Sequence, residues 1–271
     1  MNTETSYKDK ITIITFTHLW RDAPSTKLIE KTFDSIYNNI NIKGCRHIIN
    51  YDKKEDSEKS NNYYNNLLKL KNKYNSNIEI TTYNTNDNKR SKIYSNLVEM
   101  CNTPYIILWE HDFILEKRID IDSIVNSMDK YNDINFIKFN KRENKTYGNI
   151  DKWMESDKEH DIPLIKFCGY TGNPHIERRK WFLRYCKPLI NIVFVNKRNS
   201  IERAMNKDIM RRRAKFGFDR THKFLGTYIY GEMNEERYVN SLDEFKSIEA
   251  WGSKKPSDKW LKGEYTNECR I

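Results

Sequence analysis

The 271-residue chain carries 48 Lys and Arg against 38 Asp and Glu, a formal charge of +10, and is 37% hydrophobic and 32% charged. Its apolar residues fall in short runs, ITIITF, HIIN, IEITTY, PYIILW, INFIKF and LINIVFV, which suffice for a buried sheet and exclude disorder throughout. No apolar stretch approaches the ~20 residues that span a bilayer, and the first ten residues are polar, so an unsecreted cytoplasmic protein without a transmembrane segment is expected.

The five cysteines, Cys45, Cys101, Cys168, Cys186 and Cys269, are odd in number and show no CxxC spacing, which fits a reducing compartment and gives no zinc pattern. The positive charge suits nucleic acid, an anionic membrane surface or a diphosphate, and equally suits plain solubility. The Asn-, Lys- and Ile-rich usage points to an AT-rich genome, such as that of a parasite, a low-GC bacterium or a large DNA virus.

Along the chain, Lys10 to Trp20 reads as a buried strand. Residues 23–26, Ala-Pro-Ser-Thr, form a loop and N-cap signal ahead of a helix marked by Leu28, Ile29, Phe33, Ile36 and Tyr37. Arg46 to Asp52 is a second strand, Tyr63 to Tyr74 an Asn- and Lys-rich helix, and Ile78 to Tyr83 a third strand. Asn84 to Lys89 reads as a polar loop and Ser91 to Cys101 as a helix, stopped by Thr103-Pro104. Tyr105 to Trp109 is a fully buried fourth strand running into Glu110-His111-Asp112. Three strand-helix units followed by a strand imply an α/β fold with a mostly parallel, doubly wound sheet, and ligands of such sheets bind at the carboxyl ends of the strands.

Farther on, Ile121 to Tyr131 reads as a helix and Ile134 to Asn140 as a strand. Asn144 to Asp161 is a charged loop with a short helix, and Pro163 to Tyr170 a strand leading into residues 171–174, Thr-Gly-Asn-Pro. Arg178 to Lys187 is helical, and Ser200 to Lys215 is a basic helix that Ser200 caps. Residues 226–231 combine Gly with Tyr hydroxyls and read either as a sugar-packing segment or as a short strand between turns. Neither repeats nor an interdomain linker divide the chain.

If strand geometry persists, Glu110 and Asp112 leave one face and His111 the other. Two hard oxygen ligands can then share one side of Mg²⁺ or Mn²⁺, with phosphate oxygens and water completing the shell. The alternative is an ordinary cap or surface charge.

The segment SKIYSNLVEMCNTPYIILWEHDFIL, Ser91 to Leu115, resembles the GT-A glycosyltransferases, family 2 in particular, whose fourth strand ends in a DXD motif; the triplet here is an EHD variant. The resemblance implies one GT-A domain over 1–271, with residues 10–115 as the nucleotide-sugar half and 116–271 as the acceptor half with a C-terminal elaboration. It implies a Mn²⁺ or Mg²⁺ cofactor, a UDP- or GDP-sugar donor, and transfer to a hydroxyl of a glycan, lipid-linked or protein acceptor, with no nucleic-acid partner. Asp112 then binds the metal, and Glu110 binds the metal or the donor ribose. Thr15, Thr17 and Asp52, at the ends of the first two strands, and Arg90 lie where the family holds the donor, although Asp52 also reads as a turn residue. A late histidine, His222, stands where some members supply a further metal ligand, against a structural role.

Asn173 and His175, with Arg178 and Arg179 behind them, suit sugar hydroxyls or phosphates, or else a plain turn and a solvated helix start. Inverting transfer needs a carboxylate base; the family analogy selects Glu202 in the first turn of the late helix, with Asp208 second, while a first-turn Glu also complements a helix dipole. Two other classes stay open: a basic nucleic-acid-binding protein, and a nucleotidyltransferase-like or inactive relative of the same fold.

Overall fold

The computed structural model describes residues 7–19, 24–53, 56–83, 90–145, 154–193 and 200–242. The first half follows the sequence closely: β1 (Ile11–His18), α1 (Lys27–Asn39), β2 (Arg46–Asp52), α2 (Glu58–Lys73), β3 (Ile78–Tyr83), α3 (Arg90–Met100) and β4 (Tyr105–Leu108). Helix α1 buries Ile29, Thr32, Phe33 and Ile36, the i, i+3, i+4, i+7 stripe of a helix lying on a sheet. Ser57 caps α2 by accepting from the Ser60 N–H. Strand β1 is buried over seven of its eight residues because helices cover both of its faces.

The second half adds β5 (Phe113–Leu115), α4 (Ile121–Lys130), β6 (Phe136–Lys138), β7 (Glu155–Ser156), β8 (Leu164–Lys166) and β9 (His175–Arg178). Then come α5 (Arg179–Trp181), a π-helical turn over Phe182–Cys186, α6 (Lys187–Val193), α7 (Ile201–Leu225), β10 (Thr227–Tyr230) and β11 (Val239–Ser241).

Nine strands make one sheet in the order β3-β2-β1-β4-β9-β6-β10-β8-β7, and β5 pairs with β11 in a second, two-stranded ribbon. Pairs β1–β2, β2–β3, β1–β4 and β6–β10 are parallel, whereas β9 and β8 run against their neighbours. The expected class, an α/β fold with a mostly one-directional central sheet flanked by helices, is the one found.

Several segments differ from their sequence reading. His175–Arg178 is an inner strand, wedged between β4 and β6, where a loop and helix start were expected. Arg178, its last residue, and Arg179 after it are held by backbone carbonyls. Arg178 donates to the carbonyls of Met128, Tyr131 and Ile134, and Arg179 to those of Val98 and Glu99. Each thus satisfies the bare carbonyls at the end of a helix, α4 and α3 respectively, where a cation also complements the dipole. Part of the run LINIVFV lies in α6 rather than in a strand. In the 144–161 segment the described residues hold β7 and no helix. The Asn84 to Lys89 loop, Trp20, Trp153, Cys269 and the last tryptophans lie outside the described residues.

Ser200 caps α7 as expected, through the Arg203 N–H. The helix runs past Lys215, however, and bends sharply at Gly217, whose φ of 78° and ψ of 178° are not helical. It ends at Gly226 with φ 61°, where a Cβ would collide with the Asp133 carbonyl; glycine is required there for both conformation and space. The four described cysteines are all buried and unpaired by disulfides.

Candidate functional site

The parallel strands deliver their carboxyl ends to one edge of the sheet. Register aligns His18 with Asp52 and Asp52 with Tyr83, while Trp109 and His111 continue beside β1 through hydrogen bonds to the carbonyls of Ile14 and Phe16. Strand β4 stops at Leu108, and His111 and Asp112 form a turn. That turn is pinned from several sides. The Trp109 indole donates to the Phe113 carbonyl (2.8 Å), the Thr32 hydroxyl to the His111 carbonyl (2.7 Å), and the Leu242 N–H to the Asp112 carbonyl (2.7 Å).

Both carboxylates of the triplet border one small cleft of about 90 Å³, lined also by Phe16, Thr17, His18, Tyr83, Arg90 and His111. Glu110 is partly exposed, and its Oε1 lies 2.6 Å from an Arg90 guanidinium nitrogen. The same guanidinium sits over the Phe16 ring, 4.7 Å from its centroid. Asp112 is buried, with the Ser241 hydroxyl donating to Oδ2 at 3.2 Å.

Across the edge lies the loop before β9. A Cβ built on Gly172 would stand 3.8 Å from Glu110 Oε1 and 4.0 Å from Glu202 Oε2, so the carboxylate from the first turn of α7 converges on the acidic triplet with only a glycine between them. Asn206, one turn later, fixes this approach by exchanging hydrogen bonds with the backbone of Tyr170. Glu202 is exposed as a residue, yet its carboxyl end turns into the protein; burial raises its pKa, offset in part by the Gly172 N–H and by the charges of Lys138 and Lys141. Lys138 ends β6 at the same edge, opposite His175 in register.

Other sequence candidates land as follows. Thr17 is in the cleft wall, hydrogen-bonded to the Tyr63 hydroxyl at 2.6 Å. Thr15 is fully buried beneath it and bonded to His47 Nε2 at 2.8 Å, so it reaches the site only through its neighbours. Asp52 is buried beside Tyr83, whose hydroxyl pKa rises through burial and then through the Asp52 charge. Asn173 belongs to the Gly172 loop, where its carbonyl meets His175 Nδ1 (2.7 Å).

His175 itself is wholly buried in the sheet and cannot touch a ligand from there. Asp208 accepts from the Tyr185 hydroxyl and from Arg212, both at 2.6 Å, on a different side of α7 from Glu202. His222 lies at the far edge of the sheet: its Nε2 meets the carbonyl of Thr227, the first residue of β10, and its ring stacks on Phe218. The structure does not bring Asp208 or His222 to Glu110. Sequence reasoning missed Phe16, Tyr83 and Ser241, which carry no motif and reach the site only through folding.

Behind the site, burial raises the Glu177 pKa to about 8, against the pull of the Tyr94 and Tyr170 hydroxyls, while it lowers that of His175 to about 4. Tyr94 donates to Glu177 Oε1 at 2.6 Å, and His175 Nε2 stands 3.9 Å from Oε2. Near neutrality the cluster holds no net charge. Because the folded pKa exceeds the unfolded one, the stability this carboxyl contributes is complete below about 4.5, falls as pH rises, and is gone above about 8. Glu177→Gln, neutral at every pH, should therefore unfold at higher urea than the parent near pH 8, by on the order of 3 kcal/mol, with the difference vanishing near pH 4.5. Parallel pH profiles for the two proteins would refute the protonated carboxyl.

Among the described residues no group of three or more His, Cys, Asp or Glu could hold a metal. Glu110 and Asp112 offer hard oxygens on one cleft, a donor set that fits Mg²⁺ or Mn²⁺ only if substrate oxygens complete the shell. A larger basin of about 700 Å³, bordered by Glu116, Lys117, Glu143, Glu236 and Arg237, is walled by mutually paired charges such as Arg237 with Glu116 and lies apart from the triplet.

No protein-family profile and no curated protein matches the chain. Among solved structures, S. aureus TarS 1-349 overlaps at TM-score 0.45 and 10% identity, over 92% of this chain and 67% of that one. A longer TarS structure gives 0.47 and 10%, over 92% and 41%. The mannosyltransferase PcManGT from Pyrobaculum calidifontis, in complex with GDP-Man and Mn²⁺, gives 0.46 and 11%, over 83% and 57%. The chain thus spans less than two thirds of two of these three. Overlaps this loose establish neither a shared site nor a shared activity.

Proposed function

We propose that the chain is a metal-dependent glycosyltransferase that moves a sugar from a nucleoside-diphosphate donor, a UDP- or GDP-sugar, to an acceptor hydroxyl with inversion. The observation that carries this reading is the convergence of Glu202 on the Glu110–Asp112 triplet across Gly172, at the strand ends of an α/β sheet. Two acidic groups with separate tasks are what the reaction demands.

In this reading Glu110 and Asp112 hold the divalent cation, which when bound offsets the charge collecting on the departing nucleoside diphosphate. Arg90, beside Glu110, supplies a second positive group for the diphosphate. Thr17 and Tyr83 line the nucleoside side, with Asp52 beside Tyr83. Glu202 in its ionised form accepts the proton of the acceptor hydroxyl, and burial, which raises its pKa, makes it the stronger base. Lys138 stabilises that ionised form. The cleft of about 90 Å³ is smaller than the ~300 Å³ of typical ligand pockets, so donor binding requires the Arg90–Glu110 pair to part.

Thermal unfolding with a panel of nucleoside diphosphates, with and without Mn²⁺, tests the reading. One nucleotide at about a hundredfold excess over its Kd should raise the melting temperature by several degrees, and only with metal. No shift with any nucleotide would sink it. The anomeric configuration of the product, resolved by NMR, decides inversion.

A further inference from the structure

Helix α7 is basic and carries exposed hydrophobic residues in the part remote from Glu202. Between Ile201 and Leu225 lie eight Lys and Arg and three Asp and Glu, an excess of five positive charges, half of the +10 of the whole chain. Of the five large hydrophobic residues that the described structure leaves exposed, Met210, Phe216 and Phe224 belong to this one helix.

The bend at Gly217 brings the two halves of the helix against each other. Arg212 and Phe224 would be ~18 Å apart along a straight helix, yet the Arg212 guanidinium lies 4.2 Å from the Phe224 ring centroid. The two halves therefore fold into an elbow. Phe216 and Phe224 remain 44% and 50% exposed on it, and Arg211, Lys215, Arg220 and Lys223 are exposed on the same helix, Lys215 over the Phe216 ring.

We propose that this elbow docks the protein on an anionic phospholipid surface, the two phenylalanines entering the interface and the basic side chains reaching the headgroups. Exposed aromatics ringed by cations are the composition of interfacial anchors, and the excess of positive charge complements an anionic leaflet. Nucleic acid is the poorer fit, because each ring already has a cation over one face: Lys215 at 5.1 Å from the Phe216 centroid, and Arg212 over Phe224. Base stacking needs such faces clear. No helix among the described residues is long and apolar enough to cross a membrane, so the contact is peripheral. The proposal stands independently of the transfer reaction.

The test is sedimentation of the full chain with vesicles of phosphatidylcholine alone or mixed with phosphatidylglycerol. Binding is expected only to the anionic vesicles and is expected to weaken with salt. Both Phe216→Ser with Phe224→Ser and Lys215→Glu with Arg220→Glu should weaken it, the charge pair by roughly tenfold or more. Because Phe224 packs against Tyr185, the first variant risks misfolding; the second alters only exposed side chains and keeps the test decisive. Circular dichroism and the nucleotide-dependent melting shift should be unchanged in it. Failure of the parent chain to sediment with phosphatidylglycerol overturns the proposal. So does tight RNA oligonucleotide binding that the phenylalanine changes leave intact, which would assign the surface to nucleic acid.

Discussion

Asp112→Asn is expected to abolish the metal-dependent nucleotide shift and to lower transfer by on the order of a thousandfold. The substitution keeps size and shape and removes only the charge. Asp112 sits in a turn whose backbone is held by the Leu242 N–H and by neighbouring bonds at Trp109 and His111, and its side chain accepts a hydrogen bond from Ser241. An asparagine can meet the same hydroxyl. Folding stability should therefore change by no more than about 1 kcal/mol while function is lost. A variant with parental transfer rates would remove the metal assignment, and a variant that failed to fold would be exposed by its unfolding curve before any assay.

Glu202→Gln comes second, with an expected fall in kcat of about a hundredfold to ten-thousandfold, because the positioned base is lost while donor binding, made by the other half of the cleft, persists. The pH dependence adds a signature that a structural role would not give. Burial raises the Glu202 pKa, so the parent should lose activity as pH falls through a value above the ordinary carboxylate range, and the variant should lack that acid limb. Asp208→Asn is the matched control. It breaks the bonds with Tyr185 and Arg212 and so costs some stability, but it lies away from Gly172 and should leave kcat within about twofold. If Asp208→Asn were the more damaging to kcat at equal stability, the roles assigned to the two carboxylates would be reversed.

The first half of the fold was legible because its signals are local. Ile78 to Tyr83 coincides with β3, and the ends of α3 and α4 differ by a residue from their expected limits, since β-branched runs, a helical apolar stripe and a Pro stop each act within a few residues. Strand β9 was hidden for the opposite reason. The sequence HIER places His175 and Glu177 on one face, which reads as solvent-facing, whereas burial neutralises both and a tyrosine hydroxyl satisfies the acid. The site shows the same division. The triplet could be picked out because a strand end is visible locally, and Glu202 because the family resemblance points to the first turn of a late helix, whose start is also visible locally. That they meet at Gly172 could not, since α7 begins about thirty residues after that loop. His222 lies away from the triplet because a lone histidine says nothing about which edge of a sheet it will occupy, and β10 starts at the far one.

The β5–β11 ribbon sets an order of events in the life of the molecule. Asp112 is made early during synthesis, yet Ser241 and Leu242, which hold its side chain and its carbonyl, emerge 129 and 130 residues later. A growing chain on the ribosome has the strands β1 to β4 well before it has the residues that fix Asp112, so the acidic turn reaches its final form late in translation. Loss of β11 through premature termination or proteolytic trimming would remove the Ser241 and Leu242 bonds and leave the acidic turn unbraced on that side.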